Sequence, residues 1–136
     1  MIGLLLKQTF DSSILPYIEK NKECCVFSTG APTPNFKKPF LQTLRIYDFD
    51  KTVIATDITT AMLASTLILP KKKYFYITNL EWVGHNPLVY QELREIYLNE
   101  ELELIASNES DYKTIKNLFK KPKFIVKNWD FSEIEK

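Results

Sequence analysis

Short, continuously apolar runs separated by segments of helical period constrain this chain more than any single motif. The runs are Ile2-Gly3-Leu4-Leu5-Leu6, Cys24-Cys25-Val26-Phe27-Ser28, Thr52-Val53-Ile54-Ala55-Thr56, Tyr74-Phe75-Tyr76-Ile77, Glu103-Leu104-Ile105-Ala106 and Phe124-Ile125-Val126. A strand apolar at successive positions is buried on both faces, as in a parallel sheet sandwiched by helices. Strands alternating with helices imply right-handed crossovers. The expected fold is therefore a single Rossmann-like α/β domain over residues 1–136, with a mostly parallel sheet and helices on both faces.

The intervening segments carry local helix signals. Ser12 or Ser13 can cap a helix with Ile14, Tyr17 and Ile18 on one face, and Pro16 falls in its first turn. Thr59 to Leu69 reads as helical, stopped by Pro70. Asn86-Pro87 starts a helix with Val89, Leu93, Ile96 and Tyr97 at helical spacing. Ser107 to Ser110 precedes another, with Tyr112, Ile115, Leu118 and Phe119 on one face, acids near its start and Lys120-Lys121 near its end. Ala31 to Pro39 reads as an irregular loop, Leu44 to Phe49 as a weak strand, and Ser132 to Lys136 as a polar tail that frays.

Composition removes several function classes. The 136 residues carry a formal charge of +1, so no large basic surface drives a generic grip on nucleic acid, although a local patch is compatible with one. The apolar start is too short for a membrane span and lacks a basic leader, and the only cysteines, Cys24 and Cys25, are adjacent and hence unsuited to bridging each other. Both points predict a cytoplasmic protein that does not engage a membrane. The Lys- and Asn-rich, Gly-poor composition suits an AT-rich genome, that of a phage or a low-GC bacterium. No G-x-G-x-x-G, P-loop, H-E-x-x-H or spaced Cys/His set is present, so the usual apparatus for dinucleotide redox, ATP hydrolysis and zinc is missing, and no cofactor or metal is expected.

In a sheet of this kind ligands lie beyond the carboxyl ends of the strands. The polar residues there are Thr29-Gly30, Asp57, Asn79 to His85, Ser107 to Glu109 and Asn128. Asp57 is placed either as a base toward an acceptor hydroxyl or as a helix N-cap. His85, the only histidine, is a base by its ordinary pKa or a plain loop residue. Glu81 beside Trp82 combines a carboxylate with a flat apolar platform for a sugar ring or base, or else covers the sheet edge. The backbone N–H groups of Ser107-Asn108-Glu109-Ser110 face an anion or are simply capped, and Glu109 and Asp111 oppose the anion. Lys71-Lys72-Lys73 and Lys120-Lys121-Pro122-Lys123 precede strands at one edge of the sheet opposite the site, either to touch nucleic-acid phosphates or as plain solvated loops.

The runs Val53 to Asp57, Tyr74 to Glu81, Leu104 to Ser110 and Phe124 to Asn128, in that order, resemble the N-terminal half of two-domain (GT-B) glycosyltransferases, loosely including phage DNA glucosyltransferases. The last two are similar to that family's "I-I-A-x-S" and "V-I-x-N-G" strands. The family's Gly-rich loop is absent from Lys7 to Asp11, and Trp129 stands where its glycine would follow Asn128. The resemblance implies the acceptor-side half of a transferase, with a nucleotide sugar as co-substrate. A protein partner or a second copy would complete the donor site. Asp57, Glu81 and His85 would then surround the acceptor hydroxyl, with Thr29, Gly30, Asn79, Trp82, Ser107, Asn108 and Glu109 as the substrate-binding set. The alternative is a non-catalytic Rossmann-like interaction module, with an exposed apolar patch near Phe36, Phe40, Trp82 and Trp129.

Overall fold

The computed structural model describes residues 1–80 and 87–135. Among them the strands are β1 (Ile2–Leu5), β2 (Cys24–Phe27), β3 (Phe40–Leu41), β4 (Thr52–Ala55), β5 (Lys72–Ile77), β6 (Glu103–Ala106) and β7 (Phe124–Ile125). They form one sheet in the order β3-β2-β1-β4-β5-β6-β7, and every pairing is parallel. The helices are α1 (Leu15–Glu19), α2 (Ile58–Thr66), α3 (Pro87–Tyr97), α4 (Glu109–Leu118) and α5 (Ser132–Glu135). The fold is the expected α/β class, with a sheet that is wholly parallel.

Strand alternation divides the core in two. Leu5, Cys25, Phe27, Val53, Ala55, Phe75, Ile77 and Leu104 face one side and pack with Ala61 and Ala64 of α2, Leu93 and Tyr97 of α3 and Ile115 of α4. Ile2, Leu4, Cys24, Val26, Ile54, Tyr74, Tyr76 and Ile105 face the other, under Leu15 and Ile18 of α1 and under Phe131 and Ile134 near the C-terminus. Neither cysteine forms a disulfide and both are buried, and burial pushes the Cys25 thiol up to about 11, which suits packing rather than nucleophilic chemistry. No helix among the described residues is long and apolar enough to cross a membrane.

Some expectations about elements are corrected. Thr43–Asp48 is a 3-10 helix, not a strand, because Ile46 alone points into the core while Leu44 and Tyr47 are exposed. The edge position in the sheet belongs instead to Phe40–Leu41. Phe49, just beyond the 3-10 helix, sets its ring on Phe27 and against Gly3, where a Cβ would lie 2.8 Å from that ring. Helix α2 stops at Thr66 rather than Leu69. Leu67 is extended, the residue before Pro70 disfavours helical backbone, and the Lys73 ammonium takes the Leu67 carbonyl at 2.8 Å. The C-terminal tail does not simply fray: Phe131 is fully buried and α5 follows it, with Ile134 packed on the core.

Candidate functional site

Strand order reverses at β1, which lies between β2 and β4, so the chain leaves β1 toward one side of the sheet and β4 toward the other. The diverging connections open a crevice beyond the strands' carboxyl ends. A cleft of about 160 Å³ lies there, with Leu6 and Lys7 after β1, Thr56 and Asp57 after β4, and Thr78 and Asn79 after β5. Phe10, Asp11 and Ile14 form one wall and Trp129 another.

Local hydrogen bonds fix the acidic rim. Thr56 Oγ1 donates to the Leu5 carbonyl at 2.6 Å and ties the ends of β1 and β4 together. Asp57 Oδ1 accepts from the Thr60 N–H at 2.8 Å and the Thr60 hydroxyl at 2.6 Å, while that hydroxyl accepts from the N–H groups of Thr56 and Asp57. Asp57 is thus an N-cap in a reciprocal capping box. Among the described residues nothing donates to its second oxygen, Oδ2. Asp11 caps the 3-10 turn Ser12–Ile14, and hydrogen bonds from the backbone and hydroxyl of Ser13 hold its carboxyl below the usual Asp value.

Trp129 reaches the cleft through unusual backbone. Asn128 and Trp129 have φ of 53° and 62°, both in the left-handed region, which Asn tolerates and an indole-bearing residue rarely adopts. The surrounding structure over-determines this conformation. Buried Asn21 donates from Nδ2 to the Trp129 carbonyl at 2.8 Å and accepts the Phe131 N–H on Oδ1 at 2.8 Å. Tyr76 donates to the Val126 carbonyl at 2.8 Å, and its ring meets the Trp129 indole edge-on at 5.0 Å. Burial raises the Tyr76 phenol, opposed by a hydrogen bond from the Trp129 backbone. The indole stays half-exposed on this support.

The other nominated residues fall in different places. Asn79 lines the cleft with Asp57. Ser107 lines an adjoining hollow of about 300 Å³ that shares Ile14, Thr78 and Trp129 with the cleft. Asn108 caps α4 by accepting the Asp111 N–H at 2.8 Å, and Glu109 is exposed at that helix start. Thr29 and Gly30 do not line the cleft. Gly30 is needed because the β1 loop passes so close that a Cβ would lie 2.5 Å from the Gln8 carbonyl oxygen. Glu81, Trp82 and His85 lie outside the described residues. Phe36 and Phe40 are half-buried and pack on each other, with Phe40 also against Phe10.

The positive ends of α2 and α4 are occupied by this chain's own Asp57 and Asn108, with Glu109 and Asp111 beside the second. A phosphate at either would meet carboxylates. Among the described residues no group of three His, Cys, Asp or Glu side chains is arranged to hold a metal ion. The site suits a ligand with an apolar face and hydroxyls better than a polyphosphate. Sequence reasoning did not place Trp129 in the site; its signal was an aromatic residue in a polar stretch just beyond a strand's carboxyl end. No family model, curated protein or solved structure matches this chain.

Proposed function

We propose that this chain is the acceptor-binding half of a glycosyltransferase-like assembly, holding a saccharide in the switch-point cleft while a partner or a second copy holds the nucleotide sugar. The observation that carries this reading is the pairing of a braced indole face with a carboxylate that has one oxygen uncommitted, at the place where a Rossmann-like sheet binds ligands. Trp129 provides the platform for a sugar ring, and Asn79 and Thr78 supply polar rim contacts. Asp57 Oδ2 accepts the proton of the acceptor hydroxyl as that oxygen bonds to the anomeric carbon and the bond from sugar to nucleotide breaks. Self-capped helix ends explain why the diphosphate would be held elsewhere.

Calorimetric titration with free saccharides and with nucleotide sugars, run beside light scattering, tests the reading. Saccharides should bind the chain alone, and a nucleotide sugar only a dimer or a reconstituted pair. A nucleotide bound tightly by the monomer, with no saccharide affinity, would replace the reading. Asp57→Asn preserves the cap and should keep saccharide binding while slowing transfer by about a hundredfold or more.

A further inference from the structure

We propose that the cleft is the near end of a longer furrow, and that its ligand is an oligosaccharide bearing an acidic group at its far end; the proposal rests on the saccharide reading above. At about 160 Å³ the cleft is smaller than ordinary small-molecule sites, which run from about 300 to 1,000 Å³. It adjoins more space. The hollow beside it, of about 300 Å³, shares Ile14, Thr78 and Trp129 with the cleft. That hollow shares Tyr17 and Asn128 with a third, of about 420 Å³, which continues past Lys20, Lys127 and Asp130. Trp129 lines both the first and the second space, and the half-exposed Tyr17 lines both the second and the third.

Charge is graded along the furrow. At the near end Asp11 and Asp57 outnumber Lys7. At the far end Asp130 is committed to α5, accepting the Ser132 N–H at 3.1 Å. Lys20 rests over the Tyr17 ring, 5.4 Å from its centroid, and among the described residues neither Lys20 nor Lys127 has an ion-pair partner. A chain of sugars with one terminal carboxylate or phosphate matches hydroxyl-bearing walls, aromatic faces and a single cationic end. A uniform polyanion such as a single strand of nucleic acid would set a phosphate against the acidic end, where the lysine track such ligands need is missing.

The test is a backbone and indole NMR titration of the whole chain with lactose, sialyllactose, cellobiose, the corresponding terminal uronic acid of cellobiose, and hexathymidylate. The acidic member of at least one pair should bind about fivefold tighter than its neutral partner, with the gain lost at high salt. Resonances of Tyr17, Lys127 and the Trp129 indole should move together. The double variant Lys20→Gln, Lys127→Gln should bring the pair to equal affinity and leave the neutral sugar unchanged. Neutral and acidic sugars binding equally, with changes confined to Thr56 through Asn79, would overturn the furrow and leave the saccharide reading standing. Hexathymidylate binding tighter than every sugar would overturn the assignment in favour of nucleic acid. Binding of no probe would overturn both readings.

Discussion

Lysines gather at both ends of the strands, and the structure uses them differently. At the amino end Lys73, only 9% exposed, directs its ammonium to the Leu67 carbonyl at 2.8 Å and to Glu101 at 2.9 Å. Lys120 reaches the carbonyls of Asn99, at 2.7 Å, and Leu102, just beyond α3. Lys73 thus satisfies a carbonyl at the end of α2 that the helix itself leaves unpaired, and Lys120 ties together the turn that follows α3. The two basic runs do share this edge, around a hollow that Glu101 and Glu103 also line. Along the cleft and its adjoining hollows, by contrast, the acids are committed locally while Lys127, just past β7, and Lys20, just past α1, remain exposed and without ion-pair partners among the described residues. A lysine-rich run is therefore no guide to a binding surface until its carbonyl partners are known.

The comparison can be broken most severely through the residue that braces the carboxyl end. Asn21→Ala leaves the Trp129 carbonyl and the Phe131 N–H without their buried partner, and should cost about 3 kcal/mol in urea unfolding. A loss below about 0.5 kcal/mol would mean that the Trp129 turn is held without it. Lys73→Met should cost about 2 kcal/mol, whereas Lys127→Met should stay within about 0.5 kcal/mol, if one lysine is structural and the other available. Equal effects would erase the distinction between the two ends.

Trp129 offers a finer test. At φ 62° a glycine is unstrained and an alanine is not, so Trp129→Gly should be more stable than Trp129→Ala by about 1 kcal/mol, reversing the usual order. Both should abolish saccharide binding at the cleft. The smallest effect concerns protonation. Burial lowers the Lys120 pKa, against the pull of Glu103 and Glu100. The unfolded chain then holds this proton more tightly than the folded one, so Lys120 favours folding increasingly as pH climbs through its folded value toward 10.5. Comparing the pH dependence of wild type with Lys120→Met should show wild type gaining over that window, and a relative loss would reverse the assigned cause.

The central strands were legible because each is buried on both faces and so must be apolar at successive positions, as Val53-Ile54-Ala55 and Tyr74-Phe75-Tyr76-Ile77 are. The edge pair Phe40–Leu41 was not, since two residues in a proline-rich stretch carry no period. Leu44 to Phe49 was misread because the weak alternation of Leu44 and Ile46 does not tell which of them meets the core. In the site, Asp57 and Asn108 were legible as caps, because a cap bonds to backbone two or three residues away.

The sequence by itself determined the central strand runs, the parallel α/β class and the starts of α2, α3 and α4, all of which depend on interactions within a few residues or on burial repeated along one element. At α1 it did not, since Asp11 rather than Ser12 or Ser13 is the cap and a 3-10 turn precedes the helix. Only the tertiary structure decided that Trp129 stands over the β1–β4 crevice, that Thr29 and Gly30 stay out of it, and that Lys73 and Lys120 turn inward. Asn21 and Trp129 are 108 residues apart, and Lys73 and Glu101 are 28 apart. Partners so distant are chosen by strand order and chain crossing, which no local pattern encodes.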